Sequence, residues 1–120
     1  MKLTLYGRIP SKKNSRWTKI IRGIPIQLPS KKFVEWHREQ SEALLAFKLP
    51  KKPLENVKVT ITFYAPDLRK TDLTNKAESI MDVLVDNKFL KDDNWYVVPE
   101  ITLKFAGKDK ENPRAEIEIN

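Results

Sequence analysis

The segment Val57-Lys58-Val59-Thr60-Ile61-Thr62-Phe63-Tyr64 alternates apolar and polar side chains without a break. A period of two marks an extended strand that gives one face to a core, so the rest of the chain must supply a covering layer. Ala65-Pro66-Asp67 closes this strand, and a helix follows from about Asp72. In that helix Leu73, Ala77, Ile80, Met81 and Leu84 share one stripe, while Asp72, Asn75, Ser79, Asp82 and Asp86 fall opposite. It is expected to bury one face and offer carboxylates on the other.

The remaining segments arrange themselves around this pair. Leu3 and Leu5 alternate with Lys2, Thr4 and Tyr6 in an opening strand that stops near Gly7. Pro10 to Ser15 reads as a loop, and Trp17 to Leu28 as a hairpin turning at Arg22-Gly23, with Pro25 placing its second arm at an edge. Ser30 is an N-cap for a helix over Lys31 to Lys48, ended by Pro50 and Pro53, with Phe33, Val34, His37, Ser41, Leu44 and Leu45 on one face. Asn87 to Asp93 is a loop. Ile101 to Phe105 and Ala115 to Ile119 are strands joined across Gly107 to Pro113. The order β-ββ-α-β-α-β-β predicts an α+β fold, a mixed β-sheet with two helices packed on one face, in a single domain over residues 1–120.

Charge is distributed unevenly. There are 23 Lys and Arg against 16 Asp and Glu, a formal +7, which favours a polyanionic partner such as nucleic acid. No acidic residue precedes Glu35, whereas Asp67 to Asp93 concentrates seven carboxylates in an otherwise basic chain. The absence of cysteine excludes a disulfide scaffold, a thiolate metal site and thiol catalysis, leaving oxygen-ligated metals as the natural inorganic cofactors. No apolar run approaches the roughly 20 residues of a membrane span, and the opening strand is unlike a signal peptide, so a cytoplasmic protein without a membrane partner is expected. Gly7, Gly23 and Gly107 are isolated, which argues against a nucleotide cofactor loop.

Two constellations carry chemistry. Asn75, Glu78 and Asp82 follow one another at helical spacing, Asp72 enters at the helix start, and Asp92 and Asp93 join them if the loop after Asn87 folds back along the helix. Carboxylates so crowded repel unless a hard divalent cation neutralises them. Taken one at a time, Asp72 is equally a helix cap, Asp82 and Asp86 a solvated face, and Asp92-Asp93 a turn. The second constellation is the loop Pro10-Ser11-Lys12-Lys13-Asn14-Ser15-Arg16-Trp17, in which Lys12, Lys13, Asn14 and Arg16 suit phosphate contacts and Trp17 either stacks on a base or packs in the core. Lys19, Lys70 and Lys76 extend the DNA-binding set. His37 reads as structural, within the apolar arc of the first helix.

The chain resembles the RusA family of phage-type Holliday junction resolvases. The residues that carry the resemblance are Asp72-Leu73-x-Asn75, then Asp82-x-Leu84, then Asp92-Asp93, with the early Pro10-Ser11 loop. It implies a homodimeric, Mg²⁺-dependent endonuclease, Mn²⁺ being an alternative ion, that makes paired nicks in branched DNA during recombination and repair in a bacterial cell, with the gene chromosomal, prophage or phage. It further implies that Asp72 and Asp93 serve the metal site and that Asn75, Asp82 and Asp92 are motif positions. Thr74 replaces a second aspartate and Glu78 a lysine of the best-known members. Glu78 is therefore expected to supply the carboxylate missing at Thr74, giving a catalytic set of Asp72, Glu78, Asp82 and Asp93 with Asp92 as a further metal ligand. Two alternatives stand beside this: a nucleic-acid-binding module without catalysis, and a resolvase that binds junctions but cuts them poorly.

Overall fold

The structure, a computed structural model, describes residues 1–11 and 16–120. Its elements are β1 (Lys2–Tyr6), β2 (Arg16–Ile21), β3 (Ile24–Pro29), α1 (Lys31–Leu44), β4 (Lys58–Ala65), α2 (Leu73–Asp86), β5 (Glu100–Lys108) and β6 (Arg114–Ile119). Four strands form a mixed sheet in the order β1-β6-β4-β5, in which only β4 and β5 run parallel. This is the expected α+β architecture. The hairpin β2–β3 forms a separate two-stranded sheet.

Alternation decides which face of the large sheet is buried. Leu3 and Leu5 of β1, Val59, Ile61 and Phe63 of β4, and Ala115, Ile117 and Ile119 of β6 all enter one core, where they meet Phe33, Trp36 and Leu44 of α1 and Ala77, Ile80, Met81 and Leu84 of α2. Burying a Val, Leu, Ile or Phe side chain contributes about 1.5–3 kcal/mol, so this face is the main source of stability. Ser30 caps α1 as expected, its Oγ accepting from Phe33 N at 3.1 Å.

α1 differs from expectation in length and in facing. It ends at Leu44, and the next turn tightens through bonds from Leu45 N to Glu42 O, Ala46 N to Ala43 O and Phe47 N to Leu44 O before reaching Pro50. Its buried residues are Phe33, Trp36, Gln40 and Leu44, while Val34 and Leu45 are exposed. The helix is rotated toward Trp36, whose ring lies 5.7 Å from that of Phe33.

α2 also departs from a simple two-faced helix, because Asn75 and Ser79 are buried along with its apolar stripe. The cause is tertiary. The segment after β1 crosses over α2, where Ser79 Oγ donates to Pro10 O at 2.6 Å and Lys76 Nζ donates to Ile9 O. Thr74 and Glu78 remain exposed.

The chain leaves α2 through a stretch that packs beside the segment preceding β4. Leu54 N donates to Phe89 O, Leu90 bridges Leu54 in parallel, and Val57 N donates to Val97 O, each hydrogen bond at 2.9 Å. β5 then pairs with β4 from Lys58↔Glu100 to Ala65↔Lys108, longer at both ends than the alternation of residues 101–105 indicates, with a register shift between Phe63 and Tyr64. Among the described residues its other edge has no strand beside it.

Candidate nucleic-acid interface and carboxylate sites

Loops at the C-terminal end of β4 enclose a cleft of about 580 Å³. The described lining includes six basic side chains, Arg8, Lys32, Arg69, Lys70, Lys76 and Arg114, against the single carboxylate of Asp67. Phe63, Leu73 and Phe105 contribute apolar walls. Local partners hold the cations in position. Arg8 Nη2 donates to Asp67 Oδ2 at 2.6 Å, and Asp67 Oδ1 accepts Arg69 N at 3.0 Å. Those contacts, with the Arg8 hydrogen bond foremost, hold the Asp67 carboxyl below the usual aspartate range. Arg114 lies 3.8 Å over the Tyr64 ring and donates to Asp109 at 2.7 Å and Glu116 at 3.0 Å. Burial, and secondarily the charge of Arg8, lowers the Lys76 ammonium from its ordinary value.

Asp72 stands at the rim of this end, as the N-cap residue of α2 in an extended conformation. Its side chain makes no cap hydrogen bond; Oδ2 instead accepts from the buried Asn75 Nδ2 at 3.2 Å. The capping alternative is thus not the role the structure gives it. An Asp placed before the first turn still benefits from the positive end of the helix dipole.

Asp92 and Asp93 lie beyond the other end of α2. Asp92 Oδ1 accepts Asp93 N at 2.7 Å and its Oδ2 accepts Asn94 Nδ2 at 3.1 Å, while Asn94 Oδ1 accepts from Tyr96 N and Val97 N. These bonds make a side-chain-stabilised turn. They also separate the two carboxyls chemically. The Asp93 backbone N–H and side chain hold Asp92 low, whereas burial and then the neighbouring Asp92, with a smaller contribution from Asp82, raise Asp93.

His37 joins this acidic end, which the sequence did not reveal. Its Nε2 lies 2.8 Å from Asp86 Oδ2 and 3.8 Å from Asp82 Oδ2, and the three residues form a group whose ligand atoms all lie within 4.8 Å of one another. The usable signal was topological: two helices on one sheet face bring the inner faces of α1 and α2 together. His37 remains packed beside Phe33, with ring centroids 6.2 Å apart, so the expected structural contact is present as well.

Among the described residues, no three of Asp72, Glu78, Asp82, Asp92 and Asp93 form such a group. The reason is distance along the fold. Asp72 follows the C-terminal end of β4, whereas residues 89–97 pack beside Leu54 to Val57, ahead of its first residue. β4 itself spans roughly 23 Å at about 3.3 Å per residue, and Asp82 lies about 15 Å along α2 from Asp72 at about 1.5 Å per residue. Asp93 is within electrostatic range of Asp82, so the loop reaches the far half of the helix.

Lys12, Lys13 and Asn14, and the side chain of Arg16, lie outside the described residues. Trp17 is exposed on β2, its Nε1 donating to Pro29 O at 3.0 Å, so it is not a core residue. Lys19 is likewise exposed on the hairpin, and Lys70 on the cleft rim.

No curated protein is similar enough to the chain to count as a relative. A family model does match, over residues 7–120, and its description is Endodeoxyribonuclease RusA. No helix in the described residues is long and apolar enough to cross a membrane. The match covers the basic cleft, Asp72, α2 and both loop carboxylates, and the chain belongs to the RusA endodeoxyribonuclease family.

Proposed function

We propose that the protein is an endonuclease that resolves four-way DNA junctions by paired nicks, gripping phosphates in the cleft beside Asp72. The observation that carries this is the six-to-one excess of basic over acidic side chains in a cleft that adjoins Asp72, in a member of a DNA-cutting family. Phosphates supply most of the affinity in protein–DNA complexes, and clustered Lys and Arg are what they require. Arg69 and Lys70 provide exposed charge at the rim, while Arg8 and Arg114, fixed by carboxylates, hold the shape of the walls. Asn75 Nδ2 donates to the Asp72 carboxylate and so restrains its orientation.

The family implies Mg²⁺ or Mn²⁺, with Asp72 and Asp93 among its ligands. Within one chain these residues lie beyond opposite ends of β4, and they do not fit a single ion, whose bound oxygens sit about 2.1 Å from it. The chain's own contribution is then to bind the backbone and to present Asp72 and Glu78 on successive turns of a rigid helix. Glu78, exposed one turn beyond Thr74, is our candidate for the carboxylate absent at Thr74. Glu78→Gln should lower cleavage about a hundredfold, and Thr74→Asp should recover part of that loss. A parent-like rate for Glu78→Gln across a Mg²⁺ titration would return Glu78 to the solvated surface.

Incubation with an end-labelled synthetic junction, with and without Mg²⁺, tests the activity. Symmetric nicks that need the ion support the proposal. Tight binding without nicks would favour the junction-binding alternative, to which the exposed Thr74 beside Asp72 lends its one specific observation.

A further inference from the structure

The cleft beside Asp72 is built of two kinds of surface. Lys32, Arg69 and Lys70 stand exposed at its rim, while Arg8 and Arg114 in the walls are already matched to Asp67, Asp109 and Glu116. Lys76 directs its ammonium to Ile9 O. Between these cations the walls are apolar, formed by Phe63, Leu68, Leu73 and Phe105. Phe105 is the unusual member. It pairs with Phe63 across the parallel ladder, so both rings stand on the same face of the sheet, yet Phe63 is 6% exposed and Phe105 55%. The face that the helices cover elsewhere is bare at this end of β5, and an aromatic ring borders the cleft. A phosphate gains nothing from such walls, because apolar surroundings strip an anion of water without replacing it. A cleft of about 580 Å³ with apolar walls and cations at its mouth suits a flat ligand that carries an anion.

We infer that the cleft seats one nucleobase that has left the helical stack at the branch of a bound DNA, its face against the Phe105 ring and its flanking phosphates at Lys32, Arg69 and Lys70. This rests on the DNA reading of the cleft and adds what lies between the phosphates. A base inside a duplex has both faces covered by its neighbours and offers an apolar cleft nothing. An unstacked base presents a π-face, which aromatic side chains hold with little regard to base identity. Leaving the stack costs least where pairing is already interrupted, and a branch point is such a place. Thr71 and Leu73, on either side of Asp72, line the same cleft, so a seated nucleotide brings the branch, rather than plain duplex, beside that carboxylate.

The test compares two synthetic four-way junctions in EDTA, where no metal-dependent cleavage intervenes. One carries a single unpaired thymidine at the point of strand exchange, and the other an abasic residue at the same place. The parent should bind the thymidine junction about tenfold more tightly, the size of one base–aromatic stack. Phe105→Leu keeps an apolar side chain without a ring and should bring that ratio close to one, whereas Phe105→Tyr keeps the ring and should retain it. Because each ratio is taken within one protein, a general loss of grip cancels. A parent ratio near one overturns the base seat without recourse to any variant. A parent-like ratio in Phe105→Leu, or its loss in Phe105→Tyr, overturns stacking on this ring. Thymidine monophosphate is titrated in parallel, and binding as tight as that of the thymidine junction would make the cleft a free-nucleotide site and overturn the branch-point occupant. Failure of the underlying reading looks different. A parent that binds both junctions no better than a linear duplex of equal length overturns junction recognition and the seat together, whereas tight junction binding with a ratio near one removes the seat alone.

Discussion

At one end of α2 the protein collects cations, and at the other it collects carboxylates. The means of holding them differ. Two of the cleft's cations are tied to fixed acceptors, Arg8 to Asp67 and Arg114 to Asp109 and Glu116, so their direction is set before any ligand arrives. The carboxylates of the far end are set against one another, Asp93 against Asp92 and Asp82, with His37 beside Asp82 and Asp86. The first end has settled its charges internally while keeping an excess of one sign; the second keeps unresolved repulsion. Preorganised cations suit a grip on a polyanion, whereas crowded carboxylates suit a cation that arrives with it.

Removing one carboxylate at each end is the strongest way to break this comparison. Asp72→Asn and Asp93→Asn should each lower junction cleavage at least about a hundredfold, a loss of roughly 2.7 kcal/mol in transition-state stabilisation, while junction binding stays at the parent level or tightens. Equal losses of binding and melting temperature would make both residues structural. Next in size is the grip. Arg69→Ala with Lys70→Ala should weaken junction affinity and reduce the slope of log affinity against log salt by about 1.8, roughly 0.9 per lost phosphate contact. An unchanged slope would remove the cleft rim from the DNA interface.

Ser79→Ala sharpens the comparison from within the helix. It leaves Pro10 O without its hydroxyl donor and should cost about 1–2 kcal/mol of stability by chemical denaturation, loosening the loop that walls the cleft while Asp93 is untouched. The smallest effect concerns acid. The folded-state pKa of Asp67 is depressed by Arg8, so its contribution is fully present above the unfolded value of about 3.9 and is lost as pH falls through the lower folded value. Asp67→Asn should therefore lower the melting temperature slightly at neutral pH, flatten the acid limb below about pH 4, and converge with the parent once Asp67 is protonated.

The sequence made the strands of the large sheet legible because each buries one face, so β4 and the Ser30 cap of α1 stand where alternation and capping chemistry predict. β5 was read short, since Glu100 and the Ala106-Gly107-Lys108 end carry no alternation and are strand through pairing with β4. The facing of α1 and the burial of Asn75 and Ser79 depend on Trp36 and on the Ile9–Pro10 crossing, contacts that link distant positions and leave no local pattern. The sequence named the carboxylates, and among the described residues no three of Asp72, Glu78, Asp82, Asp92 and Asp93 come together. The missing step was physical length: a 14-residue helix carries its ends about 21 Å apart, so a loop after its C-terminus lies far from a residue at its N-cap.

One feature of the sheet bears on how the protein is made. β6, the last of the six described strands in chain order, sits between β1 and β4 and supplies hydrogen-bond partners to both. Until Arg114 to Ile119 has been synthesised, β1 has no partner and β4 has one open side, although both emerged early from the ribosome. Pairing Lys2 with Glu118 closes a loop over nearly the whole described chain, the kind of non-local contact that slows folding. Collapse of the sheet is consequently a late, concerted event. A chain interrupted before Arg114 would expose two apolar strands with unpaired edges, making it a substrate for chaperones and proteases rather than a partly active nuclease.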